Sequence, residues 1–454
     1  MKKKILALLL LCLISTPQGI CEEAKKISIQ KYDLSIEQAY DLMLVNNKSL
    51  QAATEAVEEK RHKKNAAIGH FFPKIAVNST FTSLSEPIGL PLGSKTLTLQ
   101  EDKVWGVGAG AVWNVFTGGK ILAMNSAARA MYTGSNEKLR EVKGDLTCEL
   151  IKRYYGLKLA NDVIKVREQV LETTKKHLED AKKLEKNGII AKSERLHAEV
   201  AFSKAEREYK ASLRDANVIQ EGLKSLIKAD NADLKDVEVS PVSSLFIYSK
   251  DFENLNDYQK TALENNPLLK QAEVKKKLAQ ANYRSEVSNY SPVVSLFAYD
   301  IFGSKDLSGG VPRWAMGASV NFLAFDGFTR YNNVKAADSY RKQINYEIEE
   351  AQNNIQTLVN KKYQELLKYK EQYESTNKSI ESAQESLRIT TKSFQEGYAT
   401  SLAVTDAQTA LAGVKIDRLN AIYNYDVTLA ELLKTNGKSE SIMEHIKNST
   451  TEKL

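Results

Sequence analysis

Residues 104–116 read VWGVGAGAVWNVF, and the fold of the whole chain turns on them. Taken with a period of two, one side carries Trp105, Val107, Ala109, Ala111, Trp113 and Val115. The other carries Gly106, Gly108, Gly110, Val112, Asn114 and Phe116. A strand of a soluble sheet turns an apolar row inward and a polar row to water; here the second row is mostly glycine with one amide. Trp105 and Trp113 share a face eight positions apart, which at about 3.3 Å per residue is roughly 26 Å of strand. Tilted by about 40°, that separation approaches the spacing of the two aromatic girdles of a membrane barrel. The strand is written for lipid on one side.

The chain writes it twice. Residues 314–325, WAMGASVNFLAF, set Trp314, Met316, Ala318, Val320 and Phe322 against Ala315, Gly317, Ser319, Asn321 and Leu323. Trp105 to Trp314, Trp113 to Phe322 and Gly188 to Gly397 are all shifts of 209 positions. Upstream the shift is 219: Asn46-Asn47 matches Asn265-Asn266, and Pro73 matches Pro292. The difference of ten is the excess length of loop 83–103 over loop 303–313. Registers this long mark an internal duplication. Trp105, Trp113, Trp314 and Phe322 are therefore the expected membrane girdle.

Eight prolines punctuate the chain, none between Pro91 and Pro241 and none after Pro312; such tracts are where helices run long. Ser35-x-x-Gln38 fits a capping box opening a short helix to about Asn46-Asn47, and a second helix runs to about Phe71. Strand 75–82, loop 83–103 and strand 104–116 follow, broken by Gly118-Gly119. Helical periodicity fills 120–187, with Val163, Val166, Val170, Thr174, His177 and Ala181 as its seam. Gly188 ends it, another helix covers about 192–228, and 229–250 is a connector. The order then repeats: helix to about Tyr290, strands 293–302 and 314–325, a helix over 328–396, Gly397, and a last helix over 401–433. The 328–396 tract has neither Gly nor Pro, and its length spans about 100 Å as one helix. The expected organisation is a leader over 1–21, repeats over 22–240 and 241–434, and a polar tail over 435–454.

Residues 1–21 have the form of a secretory signal: Lys2–Lys4, the apolar run 5–14, then small residues. Cys21 as a lipidation site is the weaker reading, because Ile20 precedes it where a small residue is wanted. No later run approaches the roughly 18 apolar residues of a spanning helix, so any membrane crossing uses strands. The formal charge is +7, and without the three leader lysines it is +4, spread over helices of mixed sign. That is a solvated surface, not a nucleic-acid footprint. Of three cysteines, Cys12 and Cys21 belong to the leader, so Cys148 stands alone without disulfide or metal partners. No phosphate loop, HExxH or paired cysteine gives catalysis a foothold; no enzyme activity, cofactor or metal is expected.

Two copies supply four strands, and four strands alone leave two unsatisfied edges in lipid. Closed membrane barrels need at least eight, so copies must pool strands. Several motifs carry a resemblance: LSIEQAYDLMLVNNKSL at 34–50 and its echo ALENNPLLKQA at 262–272; Phe72-Pro73 and Ser291-Pro292; NVFTGGK at 114–120; FDGFTR at 325–330; EGYATSLAVTDAQTAL at 396–411. In this order, twice, they make the chain resemble a TolC-type outer membrane efflux protein over nearly all of its mature length. The resemblance implies a mainly α fold with a transmembrane β portion: a homotrimer whose 12-stranded barrel continues as a periplasmic helical barrel. It implies a passive exit duct of a Gram-negative outer membrane, serving efflux or type I secretion. Its partners would be a periplasmic membrane-fusion adaptor and an inner-membrane pump of RND, ABC or MFS type. The alternative is a soluble periplasmic coiled-coil scaffold or adaptor, whose strands would be ordinary hairpins.

The resemblance also assigns places. The turns at Gly188 and Gly397 would be the periplasmic tips that dock the adaptor, through Gly188, Ile189, Ile190, Gly397, Tyr398 and Leu402. Asp406 matches one aspartate of the family's acidic constriction; the other falls at Ala403. Glu194 matches a tip acid that helps latch the closed state, but its latch partners align with Phe394 and Ala399, which cannot serve. His197 lies opposite Asp406 in the other copy.

Overall fold

The computed structural model describes residues 31–93, 95–227, 238–243, 245–247, 254–303, 312–447 and 450–451. The expected leader 1–21, with Cys21, and loop residues 304–311 lie outside these. In chain order the elements are β1 (Lys31–Leu34), α1 (Ile36–Asn46), α2 (Lys48–Ile68), β2 (Lys74–Ser83), β3 (Ile88–Leu92), β4 (Lys95–Gln100) and β5 (Lys103–Phe116). Next come α3 (Lys120–Lys186), α4 (Lys192–Ile227), β6 (Glu238–Pro241), β7 (Phe246–Ile247), α5 (Leu255–Asn265) and α6 (Pro267–Ser288). The chain closes with β8 (Val293–Gly303), β9 (Trp314–Asn321), α7 (Thr329–Gln395), α8 (Ser401–Thr435), α9 (Ile442–Lys447) and β10 (Thr450–Thr451).

The lipid-type strands form one antiparallel sheet in the order β2-β5-β8-β9. Its register sets Phe81 opposite Trp105, Val107 opposite Phe302, and Asp300 opposite Trp314. Alternation therefore gathers Ile75, Val77, Phe81, Trp105, Trp113, Leu296, Phe302, Met316 and Val320 on one face. That face has no protein cover: Ile75 is 76% exposed and Met316 73%. On the other face the glycine row gains a reason. Gly108 and Gly110 pair with Ile301 and Tyr299 of β8, and Gly317 pairs with Phe297. A Cβ on Gly317 would lie 2.8 Å from the Phe297 ring, so glycines leave room for the bulky row beside them. Asn114 accepts from the Ser295 hydroxyl at 2.7 Å on this face. β2 and β9 are open edges within the chain.

Three details depart from the sequence expectation. Loop 83–103 is not irregular but carries the β3–β4 hairpin. β9 stops at Asn321, so Phe322 lies just past the strand, 57% exposed, rather than on it. The segment after α8 is no free tail, since Ile442 of α9 is fully buried in the main core.

Both α3 and α7 run 67 residues, about 100 Å each. Near the sheet α3 packs between α2 and α6; farther away it pairs with α4, and α7 pairs with α8. The main core is a belt around the middle of these helices: Leu150, Ile151, Tyr154, Tyr155, Tyr425, Leu429 and Leu433, closed by Leu34, Ile36 and Met43. The Tyr154 hydroxyl donates to Leu34 O at 2.7 Å and accepts from Ser243 N–H. This ties down β1, which pairs in parallel with β6 and is too short to announce itself in the sequence. The capping box at Ser35 and Gln38 is present as expected.

The duplication is also a duplicated bond. Asn47 caps α2 through Ser49 N–H and Leu50 N–H, while its Nδ2 donates to Leu226 O at 3.1 Å. Asn266 caps α6 through Leu268 N–H and Leu269 N–H, while its Nδ2 donates to Thr435 O at 2.8 Å. Leu226 and Thr435 are themselves 209 positions apart. Each asparagine thus joins the start of one helix to the end of the returning helix, and both are more than nine-tenths buried. Asn266→Ala removes a cap worth about 1 kcal/mol and orphans a carbonyl at about 1–3 kcal/mol. A fall in thermal midpoint is expected, with Asn266→Asp recovering only the capping part; equal midpoints for the two variants would refute the double role.

Candidate functional site

The two long hairpins end at the pole opposite the sheet. Each turn closes with a left-handed glycine, Gly188 at φ 72° and Gly397 at φ 83°. Ile189 N–H returns to Leu184 O, and Tyr398 N–H to Ser393 O, the pattern in which a residue past the glycine satisfies an orphan carbonyl of the last turn. The turns lean on each other: a Cβ at Gly397 would lie 3.3 Å from Ile189 Cγ2. Ile189 (53%), Tyr398 (86%) and Leu402 (54%) are exposed. Ile190 instead packs inward, against a small dry cluster of Leu178, Ala181, Ala198, Phe394 and Val404.

Above that cluster Ser401 is the polar hub. It is fully buried, its N–H donates to Glu194 Oε2 at 2.6 Å, and its Oγ lies 2.8 Å from His177 Nε2. The first N–H groups of a helix have no internal partner. Thr400 caps Ala403 N–H within α8, and the Glu194 carboxylate from α4 caps Ser401 N–H across the hairpins, where the helix dipole favours an anion. The His177 ring stacks at a tilt on Phe394, 4.6 Å between centroids. Gln395 Nε2 donates to Asp180 Oδ2 at 3.2 Å, a further tie between α7 and α3. Burial holds the His177 imidazole below its ordinary pKa, against the opposite pull of Asp180 and Glu194.

The positions where a latch partner for Glu194 was expected, Phe394 and Ala399, are apolar here, and Glu194 turns to the Ser401 backbone instead. Sequence reading missed Ser401 and His177. The usable signal was Thr400: a cap residue immediately before a helix leaves the next N–H in search of an acceptor. Asp406 lies exposed one turn above Leu402 on α8, and His197 is exposed on α4. The two do not meet the Ser401 hub.

At the other pole, Trp105 (54%), Trp113 (41%) and Trp314 (61%) are exposed on the apolar face. Trp113 is fixed by its Nε1–H, which donates to Phe71 O at 2.8 Å. Phe328 takes the place of Gly119 in the second copy and alone of the non-glycine residues described adopts positive φ, 66°. Its ring is 67% exposed beside Phe325. Among the described residues no helix is long and apolar enough to cross a membrane, and no cluster of ligating side chains could hold a metal.

The comparisons with known proteins point one way. A curated relative, the probable efflux pump outer membrane protein TtgC of Pseudomonas putida, is 21% identical over 413 residues, 87% of this chain and 82% of its own. The outer membrane channel CmeC of Campylobacter jejuni superposes with a TM-score of 0.77 at 16% identity, over 91% of this chain and 89% of that one. The MtrE outer membrane channel of Neisseria gonorrhoeae in its open state gives 0.74 at 20% identity, over 89% of both. The outer membrane efflux protein family matches residues 39–227 and 259–438, both halves of the duplication. With a lipid-facing sheet at one pole, paired helical hairpins at the other and both halves matched, the chain belongs to the outer membrane efflux protein family.

Proposed function

We propose that three copies join edge to edge, β2 to the neighbour's β9, into a 12-stranded barrel in the outer membrane, continued below by their helices as a tube. The duct is passive; a periplasmic adaptor linked to an inner-membrane pump opens it at the tips. One observation carries this reading: a four-stranded sheet with an uncovered apolar face and two open edges, mounted on two helices of about 100 Å. A soluble scaffold would need that face buried, and membership of an efflux protein family speaks against it. Purified chain in mild detergent should have the native mass of three copies and conduct ions across a planar bilayer; a non-conducting monomer would overturn the reading.

The adaptor is assigned to the exposed apolar tips Ile189, Tyr398 and Leu402, the side chains left uncovered once Ile190 has turned inward. Tyr398→Asp together with Ile189→Asp should weaken crosslinking to the adaptor in intact cells by at least about tenfold while leaving the trimer intact. Undiminished capture by that variant would remove the tips from the docking surface. The exposed Asp406, repeated by symmetry, would set an acidic ring around the narrow end and favour cations.

A further inference from the structure

The β3–β4 hairpin is an element that a duct does not require. Leu90 opposes Leu97, with the pairs Gly89–Thr98 and Pro91–Thr96 on the other side, and beyond a bulge Ile88 pairs with Gln100; alternation along each strand keeps Ile88 with Leu90 and Leu99 with Leu97. The four apolar side chains are 50%, 51%, 53% and 41% exposed for Ile88, Leu90, Leu97 and Leu99. We propose that this face is an interface with a second copy of the chain: the three hairpins of a trimer pack on one another as an apolar collar over the outer mouth. This rests on the trimeric duct reading.

Hydrocarbon is excluded as the occupant by what lies between. Glu86, Glu101, Asp102 and Lys103 separate the hairpin from the girdle residue Trp105, so the hairpin begins in an aqueous layer. There a continuous apolar face calls for a protein partner. Reach then decides which partner. Twelve strands about 4.8 Å apart and tilted by about 40° give a circumference of roughly 75 Å and a radius of roughly 12 Å. A five-residue hairpin strand extends about 17 Å, enough to meet its equivalents at the axis. Accessibility along the inward row of β5 also falls toward its outer end. Val104, on the inward row of β5, is 2% exposed at the outer end, whereas Val112 on the same row is 49% exposed at the inner end. The hairpin also springs from β2, the edge that meets the next copy, and it lies in the first loop, which is ten residues longer than the second.

The test uses single cysteines in the full chain, in intact cells. Burial pushes the native Cys148 thiol up to about 12, so it stays protonated and gives little background. Leu97→Cys should form copy-to-copy crosslinks under mild oxidation and react slowly with a membrane-impermeant maleimide. Thr98→Cys, on the opposite face of the same hairpin, should label quickly and not crosslink. Leu90→Asp with Leu97→Asp should raise single-channel conductance at least about twofold. Equal labelling of both cysteines without crosslinks, in a species of trimeric mass, would overturn the collar and leave the duct standing. Crosslinking of Leu97→Cys to a different outer membrane protein would overturn it as well. A monomeric mass would bring down both.

Discussion

Alanine at Gly118 is expected to prevent stable assembly of the chain, whereas alanine at Gly327, its counterpart in the second copy, should be tolerated. Both glycines have positive φ, 61° and 67°, so each substitution incurs the left-handed cost of about 1–2 kcal/mol. Surroundings separate them. A Cβ on Gly118 would stand 2.4 Å from Ser291 Cβ and 2.6 Å from Ser288 O, at the junction of α6 and β8. Around Gly327 there is nothing within 4 Å. Backbone cannot move aside as a flexible side chain can, so Gly118→Ala must shift the seam where the first copy meets the second. A loss of at least about 4 kcal/mol is expected, well into the range of severe variants. Yield of heat-modifiable oligomer from outer membranes and the thermal midpoint measure it. Similar losses for the two alanine variants would show that backbone conformation alone sets the requirement.

The second large effect concerns the tip. Glu194→Ala leaves the Ser401 N–H unpartnered in a fully buried place, at a cost of about 1–3 kcal/mol to the closed arrangement of the two hairpins. If opening parts them, that shift raises the open population by roughly 5- to 150-fold, read as conductance without adaptor. Ser401→Ala keeps the N–H and loses only the contact with His177, so its effect should be smaller. Acidity should act in the same direction. The packed tip holds His177 below its ordinary pKa, so a tip that exposes His177 binds more protons between that lowered value and about 6.5. The contribution of His177 to the packed tip's stability is complete above about 6.5 and falls as pH drops through that window. Asp180 and Glu194 face the ring and narrow the window without reversing it. His177→Gln should therefore abolish acid-promoted opening, and conductance that rises with acid equally in His177→Gln would rule the histidine out.

How much of this was legible beforehand follows from the range of each signal. The lipid strands, the two long helices and both tip glycines rest on periodicity and on backbone need, which lie in contiguous sequence, and they stand where the pattern put them except that β9 ends early, at Asn321. Trp113 is exposed on the apolar face, and its bond to Phe71 O joins residues 42 apart, beyond any local pattern. The bond between Ser401 and Glu194 spans 207 positions and uses a backbone donor, so no residue type at 401 announces it. β3 and β4 were hidden because Pro87, Gly89, Pro91 and Gly93 are loop formers, and the pairing of Leu90 with Leu97 outweighs them. Phe328 breaks the local rule outright: sequence would place glycine there, as the first copy does.

The paired asparagines say something about how the two halves have been allowed to drift. Where the chain grips itself, at Asn47 and Asn266, both copies retain the same bond to the same partner position. Where it faces something else, at Tyr398 against Ile189 and in the ten extra residues of the first loop, the two halves differ. In the proposed trimer, six near-equivalent anchors around the ring would carry three fully equivalent outlets and three fully equivalent contacts below. A duplicated gene can vary its dealings with other molecules one half at a time without loosening the frame that both halves share.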